Sequence, residues 1–209
     1  MSAARPLVAV LDYGIGNLRS AQKSLEKVGA DARLTSDPGL VAESAAVVLP
    51  GVGHFGSCMR AVRNHGLAEV ANEAVERGQP FLGICVGAQM MFAGSDEAPD
   101  EPGLGLLDGR VERLPGGVKH PQMQWNRLDL VRPEDPLVAG LPAEPWMYFV
   151  HSFAPVTDEV VATCDYGGTV VAIAGRPGRW ACQFHPEKSS HDGLALLRDF
   201  VEIAARVAA

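Results

Sequence analysis

The first 85 residues alternate short apolar runs with amphipathic stretches, and that rhythm leaves few folds open. Leu7-Val8-Ala9-Val10-Leu11 is a continuous apolar run of strand length, as expected for a strand buried on both faces. After a turn at Asp12-Tyr13-Gly14-Ile15-Gly16-Asn17, Leu18, Ala21, Leu25 and Val28 recur at intervals of three and four. That spacing marks one face of a helix, with Gly29 as its C-terminal stop. Further strands are expected at 32–35, 45–49 and 81–84. Between the last two, Leu67, Val70, Ala71, Ala74 and Val75 form a second helical stripe. The β-α-β-α order predicts a parallel sheet with helices on both faces. In such sheets ligands bind beyond the carboxyl ends of the strands. Three turns fall there: 14–17, 51–56 and Cys85.

The second half has a different texture. Short strand candidates at 111–114, 127–131, 147–150, 160–163, 169–174 and 180–184 are punctuated by turn residues such as Gly167-Gly168 and Arg176-Pro177-Gly178. They are expected to extend the sheet by antiparallel hairpins. Leu194, Leu197, Phe200, Val201 and Ala204 mark a closing helix. No internal repeat, low-complexity tract or long charge block interrupts the chain. Residues 1–209 therefore read as one α/β domain, with a mixed, mainly parallel sheet flanked by helices and an antiparallel extension.

Composition narrows the function. An apolar fraction of 47% with 21% charged residues is that of a globular protein, not a disordered one. A net charge of −7 argues against a nucleic-acid binder, which needs a basic stripe. The uncharged stretch 78–95 is broken by Pro80 and glycines, so it is not expected to span a membrane. The N-terminal residues lack the succession of basic, apolar and small residues that marks a secretory leader. The four cysteines (Cys58, Cys85, Cys164, Cys182) show no C-x-x-C spacing. No zinc site is expected, and a reducing cytoplasm is the expected compartment.

Gly83-Ile84-Cys85-Val86-Gly87 lies between an apolar strand and a helix. It has the form of a nucleophile elbow with sulfur in place of oxygen. Such a turn strains the nucleophile's backbone, and flanking glycines let the neighbouring elements pack close enough to tolerate it. The following helix points its N-terminus at the sulfur and favours thiolate, and the Val86 N–H faces the place where an oxyanion would develop. The other three cysteines lack this context and read as buried structural residues. A cysteine nucleophile needs a base and a group to orient that base. His185-Pro186-Glu187 offers both, since on an extended segment residues i and i+2 share a face. Of the six histidines only His185 has a carboxylate two residues away. On its own, His-Pro-Glu is a weak signal.

Pro50-Gly51-Val52-Gly53, Gly83-Ile84-Cys85-Val86-Gly87-Ala88-Gln89 and His185-Pro186-Glu187 together resemble the triad-type (class I) glutamine amidotransferases, whose fold is flavodoxin-like. Within that group, four segments look like the glutaminase subunits of imidazole glycerol phosphate synthase. These are 12–18, 51–56, Tyr148-Phe149-Val150-His151-Ser152-Phe153, and 183–189. The resemblance implies that Cys85 attacks the side-chain amide of L-glutamine, His185 moves protons and Glu187 orients it. It further implies substrate or oxyanion contacts from Gly51, Val52, Gly53, Val86, Gln89, Ser152 and Phe153. The ammonia would pass to a (β/α)8-barrel cyclase in a heterodimer, contacted through Asn17, Trp125 and Asn126. No metal or organic cofactor is implied. Gln124 stands where relatives usually carry glycine, and Val86 and Ala88 replace a commoner leucine and methionine.

Three other readings compete. A dinucleotide-binding domain is suggested by Gly14-Ile15-Gly16 and Asp37, but Arg19 occupies the third glycine position. A free-standing cysteine hydrolase could carry the same triad. The glutaminase subunit of pyridoxal phosphate synthase also resembles the chain at Cys85 and at His-Pro-Glu, although the 12–18 and Trp125-Asn126 segments argue against it.

Overall fold

The computed structural model describes residues 5–207. Residues 1–4, on which the expectation about a secretory leader partly rests, and residues 208–209 lie outside that range. The first half follows the predicted rhythm: β1 (Leu7–Leu11), α1 (Leu18–Lys27), β2 (Asp31–Thr35), α2 (Pro38–Glu43), β3 (Ala46–Gly51), α3 (Phe55–Asn64), α4 (Leu67–Glu76), β4 (Phe81–Cys85) and α5 (Val86–Met90). Sequence reading missed α2 and α3. Asp37 caps α2 by accepting the Gly39 N–H at 2.9 Å. It is therefore occupied as a capping residue rather than placed to bind a ribose. His54 Nδ1 accepts the Gly56 N–H at 3.2 Å, so the predicted turn at 51–56 already becomes helix at Phe55.

The second half supplies β5 (Gly94–Ser95), β6 (Ala98–Pro102), β7 (Arg110–Arg113), β8 (Gln122–Arg127), β9 (Asp129–Leu130), β10 (Trp146–His151), β11 (Phe153–Val156), β12 (Val160–Asp165), β13 (Thr169–Arg176) and β14 (Arg179–Cys182). A 3-10 turn (Pro186–Lys188) and α6 (Ser190–Val207) close the chain. Eight strands form one sheet in the order β2-β1-β3-β4-β14-β13-β12-β9. Every pair from β2 to β14 is parallel, and the pairs beyond β14 are antiparallel. The first five positions reproduce the doubly wound order 2-1-3-4-5.

Three of the strand expectations need correction. The strand at 180–184 is β14, and it joins the sheet parallel to β4 instead of as part of an antiparallel extension. Strands β7 and β10 leave the main sheet altogether. β10 pairs only with β8 in a two-stranded ribbon, and β7 sits in a small sheet ordered β11-β7-β5-β6. Alternate residues of β10, Met147, Phe149 and His151, are buried. That period of two fits a half-buried ribbon as well as a sheet edge, so the pattern alone could not choose between them. The predicted strand at 127–131 is likewise split, because Leu128 turns inward between β8 and β9.

β3 and β4 are buried along their whole length. Helices α1 and α6 pack together, and α4 packs on α2 and α3 as a second group. In α6 it is Leu196, not Leu194, that joins Leu197, Phe200, Val201 and Ala204 in the core. No helix among the described residues is long and apolar enough to cross a membrane.

The junction of β4 and α5 places the site. No loop separates them, so α5 lies directly against β3 and β4. A Cβ on Gly83 would stand 2.6 Å from Ala88 Cα, and one on Gly87 would stand 1.8 Å from the Leu49 carbonyl oxygen. Neither position admits a side chain without moving backbone. Gly87→Ala is expected to force α5 off β3 at a cost of about 1–3 kcal/mol. Urea unfolding midpoints compare it with wild type, and an unchanged midpoint would contradict this packing.

Candidate active site

The turns after β1, β3 and β4 and the segment after β14 converge at the carboxyl edge of the sheet. Cys85 ends β4 and caps α5 with φ 55° and ψ −114°. A positive φ is costly for a residue with a side chain and is held only where surrounding packing enforces it. Here the enforcement is the glycine-lined contact of α5 with β3 and β4. The strain predicted from the G-x-C-x-G pattern is present.

His185 lies three residues past β14. Its N–H donates to the Tyr148 carbonyl at 3.0 Å, and its own carbonyl accepts from Ser189 Oγ at 2.6 Å. The backbone is thus pinned on both sides, to β10 and to the start of α6. Its Nδ1 donates to Glu187 Oε1 at 2.8 Å, and both side chains are 2% exposed. The expected pairing is therefore present, but by a different backbone. Pro186 opens a 3-10 turn and does not prolong an extended segment. Proline's fixed φ suits the first residue of a helical turn as readily as a strand.

Asn17 Nδ2 donates to the same Glu187 oxygen at 3.3 Å. This residue, expected at a partner interface, ties the turn after β1 to the carboxylate behind His185. Burial by itself would lower the His185 pKa. Hydrogen bonding with Cys85 and with Glu187, together with their charge, outweighs it and pushes the value up to about 9. His151 behaves oppositely. Burial holds it down to about 4, against the effect of its bond to the Phe153 carbonyl and reinforced by His185. Of two imidazoles beside one cavity, one takes a proton readily and the other stays neutral.

That cavity, of about 570 Å³, is lined by Asn17, Val52, Gly53, Cys85, Val86, Gln89, Ser152, Phe153 and His185, all singled out from the sequence. Gly51 lies behind its wall, where a Cβ would meet Gly87 N at 2.4 Å. Gln89 is 3% exposed, and its Nε2 is committed to the Phe153 carbonyl at 3.0 Å and Gln183 Oε1 at 3.1 Å. Its amide oxygen is the group left for a ligand.

Trp125 and Asn126 lie outside the cavity, on β8. Trp125 is 45% exposed and meets Tyr148 edge-on at 6.0 Å. Asn126 turns its amide inward to the Asp165 carbonyl at 2.8 Å.

Glu97 was missed by sequence reading. It lines the cavity and accepts the Phe55 N–H, at the start of α3, at 2.7 Å. It stands in the turn between β5 and β6, where no periodicity marks it, and only the fold brings it to the cavity that Cys85 also lines. Cys58, Cys164 and Cys182 are buried, and burial pushes all three thiols up, as expected of structural cysteines. No cluster of three or more metal-ligating side chains occurs among the described residues.

The raised His185 pKa links to stability. A base that binds protons more tightly folded than unfolded stabilises the fold fully below about 6.5, and that contribution is lost as pH rises through about 9. Glu187→Gln removes one source of the shift. The decline of the urea midpoint between these pH values should be smaller in the variant than in wild type, and identical slopes would contradict the pairing.

A family model for class-I glutamine amidotransferases matches residues 9–204. The chain is 47% identical to the imidazole glycerol phosphate synthase subunit HisH of Synechococcus sp. (strain JA-3-3Ab), with 99% of this chain and 97% of that one covered. It is also 47% identical to the subunit of that name from Methanothermobacter thermautotrophicus, over 94% of this chain and 98% of the relative. Among solved structures, a glutamine amidotransferase superposes with a TM-score of 0.75 at 23% identity, covering 94% and 98% of the two chains. PurLQS from Thermotoga maritima gives 0.77 at 21% identity, covering 95% and 98%. These last two likenesses concern the fold.

Proposed function

Because the chain belongs to the class-I glutamine amidotransferases, and among them to the family of HisH subunits of imidazole glycerol phosphate synthase, we propose that it is a glutaminase serving a cyclase. The carrying observation is the polar chain Asn17–Glu187–His185, whose His185 lines one cavity with a cysteine on a strained elbow. The whole chain, 1–209, acts as one glutamine amidotransferase domain in the cytoplasm.

The Cys85 thiolate attacks the side-chain carbonyl carbon of L-glutamine. Negative charge develops on the carbonyl oxygen beside the N-terminus of α5, where the Val86 N–H and the Val52 N–H receive it. One such donor is worth about 2.7–4 kcal/mol in the transition state. His185 Nε2 gives its proton to the departing nitrogen and ammonia leaves. The resulting γ-glutamyl thioester is hydrolysed by a water that His185 deprotonates, releasing glutamate and restoring the thiol. Glu187 holds the imidazole in the tautomer that presents Nε2 to the sulfur. The Glu97 carboxylate supplies the negative charge that the substrate's α-ammonium group requires. Gln89 orients the substrate amide, and the 152–153 backbone borders the chain of the substrate. No metal or organic cofactor enters this chemistry.

Ammonia passes to a (β/α)8-barrel cyclase in a heterodimer, which uses it to form imidazole glycerol phosphate in histidine biosynthesis. With its partner the assembly is a lyase, and alone the chain is an amidohydrolase. The docking face is the outer side of the β8–β10 ribbon, where Met123, Trp125 and Trp146 are 62%, 45% and 49% exposed. Apolar groups gathered on one face suit a partner. The same ribbon contributes Val150 and His151 to the cavity wall.

Cys85→Ala should abolish glutamate release in a folded chain. His185→Ala should lower turnover by about 10²–10⁴, and Glu187→Gln by less, because it positions the proton carrier without being one. The reverse order in measured rate constants would count against these roles. Mass spectrometry after an electrophilic glutamine analogue should find the label on Cys85. The isolated chain is expected to be a poor glutaminase that the cyclase stimulates, and Trp125→Ala should weaken that stimulation. Equal rates of glutamate release with and without cyclase would argue against a coupled machine.

A further inference from the structure

One buried polar side chain beside Cys85 has no part in the mechanism above. Gln183 follows the last residue of β14 and is fully buried. Cys182 pairs with Ile84 across the parallel strands β14 and β4, so the next residue on each, Gln183 and Cys85, come side by side at the carboxyl edge. The Gln183 backbone N–H donates to the Ala172 carbonyl on β13 at 2.9 Å. Its side-chain Oε1 accepts from Gln89 Nε2 at 3.1 Å, and its Nε2 donates to Cys85 Sγ at 4.0 Å.

We propose that Gln183 is a second hydrogen-bond donor to the reacting sulfur, held by Gln89 with its N–H side toward Cys85 and stabilising the thiolate. The two ends of a carboxamide are told apart by what they bond, and here Gln89 decides. Its Nε2 spends one hydrogen on the Phe153 carbonyl and the other on Gln183 Oε1. The Phe153 carbonyl, itself held by His151 Nδ1 at 2.8 Å, fixes Gln89 in turn. Turning the Gln183 amide over would set two N–H groups against each other and aim an oxygen lone pair at the sulfur. At 4.0 Å the contact is long, as catalytic hydrogen bonds commonly are before substrate binds. A hydrogen bond to a charged acceptor is stronger than one to a neutral acceptor, so this donor favours thiolate over both thiol and thioester. Charge leaves the sulfur as the thioester forms and returns as it breaks. His185 spends part of that cycle on the departing nitrogen and on water, whereas Gln183 stays at the sulfur throughout and has no proton to lose.

The role in turnover rests on the glutaminase reading, whereas the contact with sulfur is tested without glutamine. Gln183→Met keeps most of the side chain's bulk and removes the donor. Alkylation of Cys85 by iodoacetamide is followed against pH in the full chain. His185, Tyr13 and Cys58 are titratable groups that respond to Cys85, and Glu97, His151 and Lys188 share its cavity; all are unchanged in the variant. The substitution should raise the pH midpoint of alkylation by about one unit. The plateau rate at high pH should stay within about threefold of wild type, since a more basic thiolate is only slightly more nucleophilic. With the cyclase present, kcat for glutamate release should fall about tenfold, with KM within about threefold. Should Gln183→Met fail to fold, the wild-type chain decides: the NMR signals of the Gln183 side-chain amide should move with the midpoint seen in alkylation. An unchanged midpoint in the Met variant, a loss confined to the plateau, or amide signals that ignore that midpoint would overturn the assignment. A wild-type chain that releases no glutamate while the midpoint still shifts would overturn the glutaminase reading and support the contact.

Discussion

A cysteine on a left-handed backbone is the constraint from which the rest of this molecule follows. Cys85 can hold φ 55° only because α5 begins with no intervening loop and presses against β3 and β4. That contact exists only because Gly51, Gly83 and Gly87 present no side chains where backbone meets backbone. Three glycines on three different elements thus serve one cysteine. The buried apolar runs of β3 and β4 matter for the same reason, since they make the rigid floor on which the strain is stored.

Around that floor the polar groups form a graded series. Glu187 and Asn17 hold His185 from one side, and Cys85 meets it from the other. His151, equally hidden, is kept uncharged. A readily protonated imidazole thus stands near one that resists protonation, and the buried Glu187 carboxylate fixes the Nδ1–H tautomer of the first. The arrangement is costly in desolvation. The His185–Glu187 contact at 2.8 Å offsets part of that cost.

Much of this was legible in the chain. Apolar runs separated by helical stripes gave the order of β1 to β4, and strand-end turns pointed to the edge where the site forms. The elbow pattern marked Cys85, and two-residue spacing marked His185 and Glu187. What escaped has physical reasons. Whether β14 lies parallel or antiparallel to its neighbour depends on a crossover, which no local pattern encodes. A ribbon and a sheet edge share one periodicity, so β10 was misplaced. Pro186 suits an extended segment and a 3-10 turn equally, so the His185–Glu187 pair was expected for a partly mistaken reason. Glu97 is an isolated residue whose meaning comes from a neighbour 42 positions away. Asn17 was seen, but its partner at a separation of 170 residues was not.

The β8–β10 ribbon carries aromatic and sulfur side chains on its outside, while its end forms part of the cavity wall. One stiff element therefore borders two compartments. Any coupling between a molecule seated on the ribbon and a ligand in the cavity is then reciprocal: the factor one gains from the other's presence is returned in equal measure.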